Sequence, residues 1–226
     1  MAIAPLRPAA TVIVVRDGGQ NGGFEVLMVR RNDQVAFMAG AYVFPGGRVD
    51  DNDVALAEGD MARAFRLGAV RELHEEASVQ ADPDNLILIA HWVTPEIETR
   101  RYDTRFFLAR MPDGQEAHHD ESETTDLVWL TPGDAIERCR RGEIHLPPPT
   151  WTTVSRMRRH STLDDLLAWG RSVALIPAVQ PRFFKDATRT LLTLPGDPTY
   201  PSIDGWDIPE DTRFELQDGK WRPVQA

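Results

Sequence analysis

Read as a helix, residues 61–77 carry two chemically opposed faces, and no other stretch of the chain constrains its fold and chemistry as tightly. Leu67, Val70, Leu73 and Ala77 form an apolar stripe suited to pressing against a sheet. On the other side Glu72, Glu75 and Glu76 stand at i, i+3 and i+4, within roughly a third of the helix circumference. Like charges at that spacing repel and destabilise a bare helix, so the pattern makes sense with something positive among them. Ligands that are all carboxylate oxygens point to Mg²⁺ or Mn²⁺. Arg71 can reach Glu75 at i+4, either to hold that carboxylate or to grip a substrate phosphate through its planar fork. Gly68, one turn before Glu72, leaves a gap through which a loop or a substrate can approach.

Upstream stands Phe44-Pro45-Gly46-Gly47. Gly46 and Gly47 are expected to bring backbone N–H groups close to a metal or to phosphates without side-chain obstruction, or else to serve the fold as a tight turn. With Arg71-Glu72-Leu73-His74-Glu75-Glu76 behind it, this segment resembles the Nudix box. That pattern runs Gly, five residues, Glu, seven residues, then Arg-Glu-apolar-any-Glu-Glu-any-Gly-apolar. Gly47 corresponds to its leading glycine. From Gly47 to Arg71 there are 24 positions where the pattern has 14, an insertion of 10 residues. Glu58 is the nearest candidate for the first-half glutamate, and Ser78 stands where the pattern ends its helix with glycine.

The resemblance implies an α/β fold: a Nudix-type α/β/α sandwich with a mixed sheet. It also implies metal-dependent hydrolysis of a phosphoric anhydride in a nucleoside diphosphate linked to another moiety. Arg71, Glu72, Glu75 and Glu76 are then the catalytic set, with the three glutamates holding the metal. Family members often supply a general base from the loop before a late strand, which here offers Glu123 first and Glu121 second. Many relatives are homodimers. Residues 36–50 with the enlarged box resemble the branch that includes the peroxisomal coenzyme A diphosphatases, although Ala36 stands where related branches have an arginine. Coenzyme A or an acyl-coenzyme A is the substrate this favours; an ADP-sugar, a dinucleotide or an oxidised nucleotide is the alternative. A nucleotide-binding module without turnover is the third reading.

Composition narrows the partners. A net charge of -10 argues against a nucleic-acid polymer, whose phosphate backbone needs a broad basic surface. A small anion remains compatible, since 23 of the 25 basic residues are arginine, the type best suited to phosphate forks. Arg30, Arg31 and Arg101 are the substrate-binding candidates, with Arg100 and Arg105 beside them. Phe37 and Trp151 could stack on a base, and His118 and His119 read as surface because adjacent residues of an extended loop point apart. A single cysteine, Cys139, excludes an internal disulfide. No apolar run approaches the roughly 20 residues of a membrane span, and residues 11–15 read as a strand rather than a leader, so the expected compartment is the cytoplasm.

Strand-rich runs are expected at 11–16, 24–30, 41–44, 86–93, 104–109 and 126–130, with an acidic excursion at 50–60 ahead of the box helix. A further helix is expected from Pro132 to about Arg141. Residues 1–146 then form the Nudix core, with the enlarged box at 47–79. Residues 147–226 read as an appendage packed on it, in which a proline run precedes helices at about 151–159 and 162–169 and a hairpin turns at Asp218-Gly219.

Overall fold

The run Thr11-Val12-Ile13-Val14-Val15 is apolar at every position but one, the signature of a strand covered on both faces rather than one. It lies at the centre of the protein in the computed structural model, which describes residues 3–18, 23–32, 38–119, 124–185 and 187–225. The strands are β1 (Leu6–Asp17), β2 (Phe24–Arg31), β3 (Tyr42–Val43), β4 (Gly46–Arg48), β5 (Ile87–Val93), β6 (Arg101–Arg110), β7 (Thr124–Leu130), β8 (Ala178–Val179), β9 (Arg182–Lys185), β10 (Thr190–Thr193), β11 (Arg213–Gln217) and β12 (Lys220–Pro223). The helices are α1 (Asp51–Leu56), α2 (Met61–Ala77), α3 (Pro132–Arg140), α4 (Pro148–Met157) and α5 (Leu163–Ser172).

The main sheet runs β3-β2-β1-β6-β5-β8, with β4 also paired to β1 and β7 to β2. β1 is parallel to β6 from Leu6↔Arg101 to Val15↔Arg110 and antiparallel to β2 and β4, so the sheet is mixed. Residues Ala9 to Val15 are all buried, as a strand with helices on both faces requires. On one face Ala10, Val12, Val14, Leu27 and Phe107 pack with Ala64, Ala69, Leu73 and Ala77 of α2. On the other, Ile13, Val15, Val26, Met28 and Leu108 pack with Trp151 and Val154 of α4 and Leu163 and Leu166 of α5. The architecture is the expected α/β sandwich with a mixed sheet, plus C-terminal hairpin strands.

The second helical layer is drawn from residues 148–172, inside the stretch read as an appendage. Pro147-Pro148-Pro149 was expected to break the pattern, yet α4 starts at Pro148. A first-turn proline loses no helical hydrogen bond, and its fixed φ suits the helix. Trp151 is therefore a core residue, buried to 1% exposure with its indole N–H donating to Asp211 at 3.0 Å, and not a stacking platform for a base. Beyond it, β12-β11-β10-β9 form a second, four-stranded sheet, from which Leu192 and Phe214 reach the same core. Its hairpin turns at Asp218 (φ 49) and Gly219 (φ 75), the paired left-handed conformation that a two-residue hairpin needs. Phe37 lies outside the described residues.

Candidate functional site

The chain between the glycine pair and α2 is not the irregular acidic excursion its composition suggests. Asp50 caps α1 by accepting from the Asp53 N–H at 2.8 Å, while the Asp53 carboxylate accepts from the Asp50 N–H at 3.0 Å, a reciprocal capping box. This box turns Asp53 inward to 2% exposure, against α2. Gly68 is what permits the approach: a Cβ there would lie 2.9 Å from Asp53 Oδ2 and 3.2 Å from Val49 Cγ2. The gap expected at Gly68 admits a neighbouring helix.

Asp53 meets Arg71. The guanidinium donates from Nε to Asp53 Oδ1 (3.2 Å), from Nη2 to Asp53 Oδ2 (3.0 Å) and to the Arg48 carbonyl (2.8 Å), and from Nη1 to Glu72 Oε1 (2.9 Å) and Glu75 Oε2 (3.0 Å). Those bonds engage all five N–H donors of an arginine. Of the two roles open to Arg71 in the sequence, holding carboxylates is the one the structure displays. The Asp53 bond, with the Glu72 charge behind it, raises the Arg71 pKa further above its ordinary value, so the group is charged at every working pH.

Counting five residues past Gly47 lands on Asp53, so the first-half acid of the box is an aspartate in register and the extra residues follow it. Glu58, the sequence candidate, is an exposed turn residue with φ 53. The shorter acid and the insertion behind it concealed the position; forward spacing from Gly47 was the signal that could have found it.

The three glutamates differ in environment. Glu72 is 15% exposed, Glu75 55% and Glu76 3%. Helix α2 is rotated from the expected stripe: Leu67 and Val70 are only half-buried, and Glu76 lies on the buried side with Leu73 and Ala77. The reason is β4. Gly46 and Gly47 belong to a strand paired to Thr11 and Ala10, not to a free turn, and the Gly46 N–H donates to Glu76 Oε2 at 2.9 Å. A Cβ on Gly47 would fall 2.4 Å from Glu72 Cδ and 2.5 Å from its Oε1. Both glycines thus serve carboxylates of α2 rather than lying bare for a phosphate. Ser78 ends α2 in the left-handed conformation (φ 57, ψ 22) that the pattern normally reserves for glycine, and its N–H reaches the His74 carbonyl.

Asp53, Glu72 and Glu75 all pair with Arg71, and Glu76 stands one turn from Glu72 on the same helix, a set of carboxylates suited to a hard cation. Among the described residues no three of His, Cys, Asp and Glu close into a metal cage. Mg²⁺ rarely needs one, since one or two carboxylates with water and substrate phosphate complete its shell. The carboxylate oxygens, with Glu72 seated in the space that Gly47 leaves, fit such an ion.

The other candidates are placed as follows. The His118 N–H donates to the Ala77 carbonyl at 2.9 Å, which carries the chain to the C-terminal turn of α2; Glu121 and Glu123 lie outside the described residues. His118 is exposed. Arg30 and Arg31 end β2, and Arg30 Nη1 donates to Thr125 Oγ1 at 2.9 Å. Next to Arg30 across the sheet, the Tyr42 hydroxyl donates to Asp126 at 2.7 Å; burial and that carboxylate push the Tyr42 pKa up to about 12. Arg101 is 6% exposed and donates to the Thr94 and Ala4 carbonyls and to Gln180, so the structure ties it to the chain and not to the glutamate cluster. Arg105 lies over the Phe65 ring and pairs with Asp103.

Replacing Asp53 by Asn keeps the volume and removes the charge facing Arg71. We expect a loss on the order of 2 kcal/mol, below the range for a fully buried pair because Arg71 is 25% exposed. Urea unfolding checks this, and a change under about 0.5 kcal/mol would mean that the pair does not anchor α1 to α2.

Comparison with known proteins adds an independent view. The NUDT19 Nudix domain model matches residues 80–157. A Caenorhabditis elegans protein bearing the name nudix hydrolase 7 is 28% identical over 212 residues, covering 77% of this chain and 69% of that protein. Human acyl-coenzyme A diphosphatase NUDT19 is 25% identical over 272 residues, covering 79% and 72%. A crystal structure of a NUDIX hydrolase from Alicyclobacillus acidocaldarius superposes with a TM-score of 0.66 at 25% identity, over 74% of this chain and 97% of that one. No helix among the described residues is long and apolar enough to cross a membrane.

Proposed function

We propose that the chain is a Nudix pyrophosphohydrolase related to the coenzyme A diphosphatase branch and that it cleaves the diphosphate of coenzyme A or an acyl-coenzyme A. The observation that carries the site assignment is the Arg71 guanidinium, four of whose N–H donors orient Asp53, Glu72 and Glu75 while the fifth holds the Arg48 carbonyl and Gly46 orients Glu76. The substrate class rests on the relatives named acyl-coenzyme A diphosphatase.

Glu72, Glu75 and Glu76 would hold Mg²⁺ or Mn²⁺, which when bound supplies charge neutralisation of the diphosphate and a lowered pKa for the attacking water. The rest falls to the chain. Water attacks one phosphorus, its oxygen forms a P–O bond, and the bridging P–O bond breaks to release the second phosphate. A carboxylate must take the water's proton. Glu123 is our choice, with Glu121 second, because the chain reaches the C-terminal turn of α2 at His118 just before them. Arg71 acts as a positioning residue, keeping Glu72 and Glu75 at fixed separation. Burial of Glu76 beside Gly46 keeps its carboxylate from swinging into solvent. Arg30 and Arg31, at the end of β2, are the arginines we assign to the substrate's remaining anionic groups.

A panel of coenzyme A, acyl-coenzyme A, an ADP-sugar and a dinucleotide, each with Mg²⁺ and Mn²⁺ and with chelator, tests the reading. The expected result is metal-dependent release of an adenosine phosphate and 4′-phosphopantetheine. Turnover confined to the other substrates would remove coenzyme A, and tight nucleotide binding without turnover at any metal concentration would remove hydrolysis itself.

A further inference from the structure

A recess lies on the opposite face of the sheet from α2, between the end of α3 and the β11–β12 hairpin. It has a volume of about 170 Å³ and is lined by Arg140, His145, Trp151, Lys220, Trp221 and Arg222 among others. Three of these carry fixed positive charge, and neither Lys220 nor Arg222 has an ion-pair partner among the described residues. Arg140 pairs with Glu137 through Nη1 alone. The net charge of the whole chain is -10, so a recess with this sign runs against the average of the molecule.

Two other groups register the same field. Burial, and then Lys220 and Arg222, push the His145 pKa down to about 4. At neutral pH His145 is therefore uncharged, with one ring N–H to donate. Cys139 also lines the recess; burial pushes its thiol up, and the same two cations oppose that shift. The walls are aromatic: Trp151 forms part of the core, and Trp221 stands edge-on to Phe183 with ring centres 6.1 Å apart. Cations, a neutral N–H donor and flat apolar walls, in a space that admits a tetrahedral oxyanion with a small attached group, are the requirements of one kind of ligand.

We propose that this recess is a binding site for a small phosphate monoester, gripped by Lys220 and Arg222 with His145 donating. Its chemistry is separate from the glutamate cluster of α2, so it stands or falls independently of the reaction proposed above. The two are connected through the backbone. The His145 carbonyl accepts from the Tyr42 N–H at 2.9 Å, and Tyr42 lies in β3, which leads directly to Gly46.

The test is a titration of the intact 226-residue chain, without metal and with chelator, using inorganic phosphate and adenosine 5′-monophosphate as probes and tryptophan fluorescence as readout. Saturable binding of both probes is expected. The double variant Lys220→Gln/Arg222→Gln should weaken it by roughly tenfold or more, and Glu72→Gln should leave it unchanged. Comparable affinity for the two probes would assign the recess to the phosphate group alone, and a tighter nucleotide would add Trp221 as a contact for the base. In the unmodified protein, phosphate should shift the imidazole NMR signals of His145 while leaving those of His74, on α2, in place. No saturation, equal binding by the double variant, complete suppression by KCl at matched ionic strength, or a response at His74 instead of His145 would overturn the assignment.

Discussion

Glu76→Gln is expected to lower kcat by roughly 10³-fold or more, equivalent to about 4 kcal/mol of barrier, while leaving the fold intact. The glutamate is 3% exposed and accepts from the Gly46 N–H at 2.9 Å. A glutamine has the same shape and still presents an oxygen to that N–H, so β4 and α2 keep their contact. What disappears is a negative charge in a cluster that already holds more carboxylates than Arg71 can balance. Folding stability should therefore change by less than about 1 kcal/mol, or even rise. Steady-state turnover with Mg²⁺, set beside thermal unfolding of the same preparation, separates the two effects. A correctly folded variant with full activity would show that Glu76 is no metal ligand.

Gly47→Ala is expected to cost at least about 10²-fold in kcat, through space rather than backbone conformation. Gly47 has no positive φ, so alanine is not excluded by its dihedrals. The new methyl would instead fall 2.4 Å from Glu72 Cδ and Oε2, closer than atoms can pack. Neither side yields easily. β4 is held to β1 by the pairing of Gly47 with Ala10, and Glu72 is held by the Arg71 Nη1 bond. The flexible partner is the carboxylate, so Glu72 must leave its place, with overpacking adding roughly 1–3 kcal/mol of destabilisation. If displacement of Glu72 is the cause, Gly47→Ala combined with Glu72→Gln should lose scarcely more activity than Glu72→Gln alone. Additive losses in that cycle would sink the explanation.

Residue spacing made α2 legible to its ends, because its apolar interval and its charges agree, and a helix that buries one face leaves both traces in the sequence. The rotation of that helix was not legible. Leu67 and Val70 read as core by type, yet the small residues Ala64, Gly68 and Ala69 occupy the tight interface because α1 and the sheet approach there too closely for larger side chains. Glycine before a carboxylate cluster suggested bare backbone for a phosphate. Only the pairing of β4 with β1 reveals that the missing side chains make room for the protein's own acids. Both α4 and α5 were legible as helices, but the three prolines concealed the first turn of α4, since they signal a break to a local reading yet are harmless at the start of a helix. Nothing local showed that the pair covers the second face of the sheet. Strands of two to four residues such as β8, β9 and β10 carry too few positions for an alternation to show.

The placement of Asp53 has a bearing on how such a chain tolerates change. Between its ion pair with Arg71 and the Asp60 carboxylate that accepts from the Ala62 and Arg63 N–H groups, the backbone runs through an exposed turn containing Glu58 and Gly59, where a Cβ on Gly59 would meet nothing within 4 Å. Lengthening a loop pinned at both ends costs only about 0.6 kcal/mol per doubling. Residues can accumulate or vanish at this outer bend without disturbing the distance from Asp53 to Arg71, which makes it a natural point for grafting a peptide tag or a reporter dye.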